Sequence, residues 1–371
     1  MGDMRVMISG RVYELTDMGS AMNEAFLDLY KAVFDGQPYD LEEFDRKATK
    51  FFGNVSSDPV KHDAFFGNLT HIWKWYLENG KWFEAEHLWL NALLPALSWE
   101  GKNKGQFIHK GTPYYFWGMT SIIMGDLDRG FALMHQALEE DIRRKDRDWR
   151  TTPAFAFATL KYTEVNQAFG RWVLYQAEFL DELLKLFCTT HGRQLTLGDF
   201  KRRFLENPPN YDTVFMFAYA LARLFRHHQI LGYAASSTFA AQLKLNLLFD
   251  IALVIEALIK AKNPNQGNFI VHAAYLAEQS SLGLTMEQLG QINSKFINDF
   301  EPTLKALISN TFSLDGGRKL SRLESELAIA YGIRNHGAHN VTAIPTFWEQ
   351  FTLIRQSLFN ILFLCVEVLY K

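Results

Sequence analysis

Cysteine is scarce: among 371 residues only Cys188 and Cys365 occur. Both lie in apolar helical runs, which predicts small buried hydrophobes rather than a disulfide framework or a metal site. Charge of either sign is in little excess, with Lys+Arg 38 against Asp+Glu 41 and a formal net charge of -3. A protein that coats nucleic acid without sequence preference carries a strong positive excess, so any polynucleotide contact is expected from a local patch. Long uninterrupted apolar runs are missing too. The stretches Leu245–Ile259 and Leu358–Tyr370 are broken by Asp250, Glu256 and Glu367, so neither reads as a clean membrane span. No short cationic region followed by an apolar core opens the chain, and the expectation is a soluble, cytoplasmic protein with no membrane partner. Phosphate-cradling loops of the GxxxxGK[ST] and GxGxxG types are absent, as are HExxH and paired cysteines. ATPase, kinase, dinucleotide and zinc chemistry are therefore disfavoured, and no cofactor or metal is expected.

What the chain has is apolar content, 48% of residues, enough to fill a sizeable core. Its periodicity is almost entirely helical, apart from a short alternating segment at Val6–Tyr13, so an all-α fold is predicted. Internal repetition organises the first half. Gly80-Lys81-Trp82-Phe83-Glu84-Ala85, continuing to Ala92, aligns with Gly125 to Gly130, continuing to Ala137. A second echo pairs Thr112-Pro113, Gly130 and Gln136-Ala137 with Thr152-Pro153, Gly170 and Gln176-Ala177. Each unit reads as two helices and a short turn. Thr-Pro suits a helix entrance, and the small residues Ala85, Gly130 and Gly170 allow close helix approach. With Tyr76, Gly80, Ala85 and Ala92 in one unit and Gly118, Gly125 and Ala137 in the next, the pattern resembles tetratricopeptide repeats, although its units are longer than the usual ~34 residues. Such a resemblance implies a protein or peptide partner on the repeats; generic helical hairpins account for the same spacing.

The most basic segment is Asp141–Arg150, where Arg143, Arg144, Lys145, Arg147 and Arg150 surround Trp149. Basic residues around an aromatic suit a phosphate backbone and a stacked base, which makes Arg143, Arg144 and Trp149 candidate substrate contacts. The alternative is a solvated loop whose arginines pair with Asp141, Asp146 and Asp148. Asn207-Pro208-Pro209-Asn210 is a strong breaker. The expected organisation is an N-terminal helical segment over 1–62, helical repeats over 63–190 and a second helical domain over 191–371. Arg226-His227-His228 lies in an apolar helical run and reads as packing or surface.

The segment that stands out is Arg334-Asn335-His336-Gly337-Ala338-His339. After the turn Asp315-Gly316-Gly317, Leu320, Leu323, Leu327 and Tyr331 fall in one arc of a helix, and Arg334 falls in the same arc. A guanidinium stays charged and is costly to bury unpaired. It needs a carboxylate such as Asp250 or Glu256, a set of carbonyls, or an anionic ligand. Residues 335–340 are poor helix formers apart from Ala338, so the helix is expected to end near Arg334. Thr346 and Glu349 then fit a capping box for a final helix to Lys371. That helix is apolar on most faces and is either deeply packed or part of a subunit interface.

Arg334-Asn335, three residues and His339, placed between the last two helices, resembles the signature of the HEPN superfamily of small helical bundles. The resemblance covers about residues 213–371. It implies a HEPN-like bundle that dimerises, with two copies of the motif forming one composite cleft; many such domains are metal-independent endoribonucleases, and others are inactive adaptors or nucleotide-binding modules. By that resemblance Arg334 would hold the scissile phosphate, His339 would transfer protons and Asn335 would orient one of them. His336 lies outside the signature and is a candidate substrate contact. The chemistry is self-consistent: attack by the internal 2′-hydroxyl needs a general acid/base and a cation on the phosphoryl group, and histidine and arginine supply them. The expected partners are RNA or a nucleotide and a second copy of the chain, in the manner of a toxin or defence effector. A non-catalytic scaffold is the alternative.

Overall fold

Several helices start at a short polar cap, such as Asp40, Asp58 and Thr285, and several end at a glycine or asparagine, such as Gly36, Asn79 and Gly125. The computed structural model describes residues 3–161, 167–231, 238–339 and 344–371; the side chains of 167–168, 228–231, 238 and 339 lie outside that description. The described chain is helical apart from one small hairpin. It divides into two units, Met1–Phe157 and Ala158–Lys371.

The first unit opens with β1 (Asp3–Ile8) and β2 (Arg11–Thr16), an antiparallel pair in which Val6 faces Tyr13. The expected single strand is thus two. Ser9 and Gly10, at φ 50 and 73, form a two-residue left-handed turn of the kind that joins twisted strands. Seven helices then follow in order, α1 (Ser20–Asp35), α2 (Leu41–Asn54), α3 (Pro59–Gly67), α4 (Thr70–Glu78), α5 (Trp82–Lys102), α6 (Gly111–Met124) and α7 (Leu127–Arg143), before a short α8 (Pro153–Ala158). Asp40 and Asp58 cap α2 and α3 by accepting from backbone N–H groups. Asn68 ties the hairpin down. Its Oδ1 accepts from the Thr16 N–H at 2.8 Å, and its Nδ2 donates to the Thr16 carbonyl at 2.9 Å.

The core of this unit is aromatic. Phe26, Phe52, Phe65 and Phe66 are fully buried together, and Trp89 stacks on Phe116 with centroids 5.4 Å apart. The repeated sequence elements coincide with two helix pairs: α4 and α5 around Gly80, and α6 and α7 around Gly125, both glycines having positive φ (68 and 94). Gly118 and Gly130 let α6 and α7 touch. A Cβ on Gly118 would stand 2.9 Å from the Gly130 carbonyl oxygen, so only glycine fits the crossing.

The second unit contains α9 (Gln167–His191), α10 (Leu197–Phe200), α11 (Tyr211–Leu231), α12 (Thr238–Lys262), α13 (Phe269–Gln279), α14 (Met286–Asn298), α15 (Phe300–Ile308), α16 (Arg322–His339), α17 (Thr346–Glu349) and α18 (Phe351–Leu369). A single π-turn, Lys201–Leu205, follows α10. α18 packs on α12, α16 and α9, and every residue from Gln356 to Val366 is buried. Of the two expectations for this helix, deep packing within its own unit is the outcome. By length and composition it is the one described helix that would cross a membrane, yet 67% of its apolar window is buried in the protein. A polar chain crosses this core: His191 Nε2 lies 2.9 Å from Glu326 Oε2, Asn360 Nδ2 donates to Glu326 Oε1 at 2.9 Å, and Gln356 Nε2 donates to Asn360 Oδ1 at 2.7 Å.

Two local expectations are corrected. The helix carrying Arg334 does not end there; α16 continues to His339. The expected Thr346/Glu349 capping box is not formed either. Pro345 is the N-cap of α17, Thr346 Oγ1 donates to Glu301 Oε1 at 2.6 Å, and Gln350 interrupts the helix before α18 begins. The helix starts one residue earlier than expected, with Pro345, which has neither an N–H nor a side-chain acceptor, at the N-cap.

Candidate functional site

The continuation of α16 decides the geometry of the motif. Tertiary contacts hold residues whose intrinsic helix preference is poor. Gly337 lies against Phe249 of α12 so closely that a Cβ would stand 2.4 Å from the ring, and Gly332 meets Phe296 of α14 in the same way, also at 2.4 Å. Gly337, read as a poor helix former, and Gly332 are therefore cut-outs for aromatic rings. On an unbroken helix, positions five apart differ by roughly 140° around the axis, whereas positions four apart share a face. The His339 position therefore lines up with Asn335 and not with Arg334. The His339 side chain lies outside the described residues.

Arg334 is held by Glu256 of α12. Its Nε donates to Oε2 at 2.7 Å and its Nη2 to Oε1 at 3.1 Å, the two-pronged match of a planar guanidinium to a carboxylate. The third nitrogen, Nη1, has only a long contact to Asn335 Oδ1, 3.5 Å. Asn335 reaches Asn293 of α14 through its Nδ2 at 3.5 Å. His336 lies over Phe300 with centroids 4.0 Å apart and beside Phe347 at 5.5 Å. Asp250, the other carboxylate considered for Arg334, pairs instead with Arg223 of α11.

Arg334, Asn335 and His336 line one cavity of about 630 Å³, within the usual range of ligand sites. Its walls are Phe269, Phe296, Phe300 and Tyr331, with Asn268 and Asn293 at the edges. Tyr331 stacks on Phe269, centroids 5.8 Å apart, and burial holds its hydroxyl above the usual range against the opposing pull of Asn335 and Arg334. His272 of α13 is lowered by burial, with Glu256 acting in the other direction. The site is thus an aromatic chamber with amides and a guanidinium already oriented on one side.

The second set of sequence candidates belongs to the first unit and forms a different kind of centre. Arg144 is buried and ion-paired with Asp63 of α3 and with Asp146. Arg147 pairs with Asp141 at 2.5 Å and reaches Asp63 at 3.4 Å. Between the two carboxylates lies His109, fully buried, with Nδ1 at 2.8 Å from Asp63 Oδ1 and Nε2 at 3.1 Å from Asp141 Oδ1. Burial pushes the imidazole down, but the hydrogen bonds it donates to Asp141 and Asp63, and their charges, lift it above its ordinary value. Burial opposes ionisation of Asp63 in turn; His109, Arg147 and Arg144 hold it below the usual carboxylate range. The adjacent His62 is pushed down to about 4 by burial. Its Nδ1 accepts from the His109 backbone N–H at 3.0 Å and its Nε2 meets the Val55 carbonyl at 2.8 Å, which fixes it as neutral.

Arg143 is exposed and only loosely paired with Glu140, at 3.8 Å. Trp149 stands edge-on to Phe155 at 5.4 Å, and the Arg150 guanidinium covers it at 4.3 Å. Arg143, Arg144 and Trp149 belong to the first unit, and Arg334, Asn335 and His336 to the second. Sequence reasoning did not single out His109, Asp63, Asn293 or the ring wall of the chamber. Asp63 and Asp141 are separated from His109 by 46 and 32 residues, and no local pattern links them.

No protein-family model, no curated protein and no solved structure matches this chain.

Proposed function

We propose that the second unit is a metal-independent endoribonuclease that acts as a homodimer, a toxin or defence effector whose first unit binds a regulatory protein or peptide. The observation that carries this reading is the convergence of Arg334, Asn335 and His336 on one aromatic-walled cavity. Glu256 holds two edges of the guanidinium and leaves Nη1 for a phosphate oxygen. The rings offer stacking surfaces for bases beside the scissile bond, each stack being worth roughly 1–3 kcal/mol. The turn of roughly 140° between positions 334 and 339 favours two chains, with Arg334 from one copy and His339 from the other facing a single phosphodiester. Exposed Ile297 on the cavity rim gives such a seam an apolar contact.

In this scheme His339 removes the proton of a ribose 2′-hydroxyl. The oxygen attacks the adjacent phosphorus, and the bond to the 5′-oxygen breaks. The departing oxygen takes a proton from an imidazolium, leaving a 2′,3′-cyclic phosphate and a 5′-hydroxyl. Arg334 stabilises the charge that develops on the non-bridging oxygens.

The test is incubation of the full chain with mixed-sequence RNA in EDTA, with fragment ends read by mass spectrometry. Cleavage to cyclic phosphate ends, lost in His339→Ala and Arg334→Ala, is the expected result. Absence of cleavage, or undiminished cleavage by His339→Ala, overturns it.

A second reading rests on the Glu256 pair itself. Because Arg334 is already matched by a carboxylate, the motif can serve purely to pin α16 to α12, in a scaffold whose repeats bind a partner. A stoichiometric partner whose binding survives Arg334→Ala, with no nuclease activity, favours that reading.

A further inference from the structure

A second cavity of about 650 Å³ in the same unit shares no lining residue with the Arg334 chamber. It lies between α9, the end of α15, the start of α16, and α18. What sets it apart is Arg355. This arginine sits on α18, half-buried, with its guanidinium over the Phe179 ring at 5.2 Å. Its Nε is shielded from solvent and has no hydrogen-bond partner. Four other arginines of the unit are matched by carboxylates, Arg223 by Asp250, Arg334 by Glu256, Arg193 by Glu367 and Arg318 by Glu324, while half-buried Arg203 reaches the Glu367 carbonyl at 3.4 Å. Among the described residues no carboxylate stands within ion-pair distance of Arg355. Glu326, which also lines the cavity, lies against His191, Asn360 and Arg322, although its Oε2 accepts no hydrogen bond, and Glu182 lines it without pairing to Arg355.

A guanidinium cannot shed its proton to escape burial, and an unpaired buried charge is costly. Stacking on Phe179 offsets only part of this. A bound anion would supply the partner that Arg355 lacks. Asn310 adds a donor on the wall: its Oδ1 is occupied by the Ser325 hydroxyl at 3.1 Å, which leaves Nδ2 available. The remaining wall combines aliphatic side chains such as Leu183, Leu186, Leu307 and Leu353 with polar ones such as Ser309 and Thr352.

We propose that this cavity binds a small organic anion, with carboxylate or phosphate oxygens held by the Arg355 fork and a hydrocarbon body laid along the leucines. The site is separate from the proposed nuclease centre. α16 nevertheless contributes to both, through Ile329 here and through Tyr331 and Gly332 there.

Calorimetric titration of the full chain with octanoate, octyl phosphate and octanol tests the proposal. Binding of octanoate, octyl phosphate or both, at least about tenfold tighter than octanol, is the expected result, since a two-pronged charged contact is worth roughly 1.5–3 kcal/mol. Whichever head group binds identifies the source of the anion. Arg355→Met removes the difference between the anions and octanol, and in the ligand-free state it melts no lower than wild type, because it replaces an unpaired cation by an apolar side chain of similar length. If that variant does not fold, Arg355→Lys, which keeps the charge and loses the fork, weakens anion binding without reaching the octanol level. Anions that bind no better than octanol, or that bind Arg355→Met as well as wild type, overturn the proposal.

Discussion

Replacing His109 by alanine strips two carboxylates of the group between them. Asp141 is buried and Asp63 half-buried, and both were matched by one imidazolium at 3.1 and 2.8 Å. Removing one member of a buried ionic cluster costs about 3–5 kcal/mol. Arg144 and Arg147 remain on Asp63, and Arg147 remains on Asp141, so the low end, about 3 kcal/mol, is expected. For a unit of this size that lowers its melting transition by roughly 6–12 °C. The sign with pH follows from the direction of the shift. His109 titrates higher in the folded protein than its ordinary value of 6.5. Its contribution is therefore complete below 6.5, and it is lost as pH rises through the folded value. The gap in stability between wild type and His109→Ala should be widest near about pH 6 and narrower near about pH 9, read by denaturant unfolding with tryptophan emission from the first unit. A gap of the same size at both pH values would refute a charged His109, and a gap below about 1 kcal/mol would refute the cluster as a stabilising element.

Two further expectations concern the α12–α16 contact. Glu256→Gln should destabilise the second unit by about 1.5–3 kcal/mol, because it weakens two charge-assisted hydrogen bonds to a half-buried guanidinium. In a double-mutant cycle with Arg334→Met the two changes should be strongly non-additive, and simple additivity would show that the pair is idle. Gly337→Ala should destabilise by about 1–3 kcal/mol despite the gain in helix preference, since its Cβ would stand 2.4 Å from Phe249; a higher melting temperature in this variant would mean that Phe249 yields freely.

Some of this protein could be read directly from its residues. Apolar periodicity of the helical kind fixes the all-α class, because burying one face is the main reason these segments fold. Caps such as Asp40, Asp58 and Thr285 act through the next turn of their own helix, so local sequence specifies them. The alignment of Gly80 with Gly125 marks two helix pairs because a left-handed residue leaves a sequence signature. Arg334 was legible as a cation on an inward stripe in need of a partner.

Tertiary structure alone decided the rest. Whether Arg334 meets Asp250 or Glu256 depends on the rotation of α12 against α16. Both carboxylates lie on α12, six residues apart, and only packing turns Glu256 inward while Asp250 meets Arg223. Where α16 ends depends on Phe249 and Phe296, which convert two helix-weakening glycines into sockets. Sequence patterning suggested a boundary at 190/191 and marked 207–210 only as a breaker; that α9 packs on α18 is a long-range contact. The His109 cluster draws its members from distant segments, and a lone histidine or aspartate carries no mark of the partner it will meet. Local chemistry sets what each segment can form; long-range contacts, which no short window contains, set which charges meet.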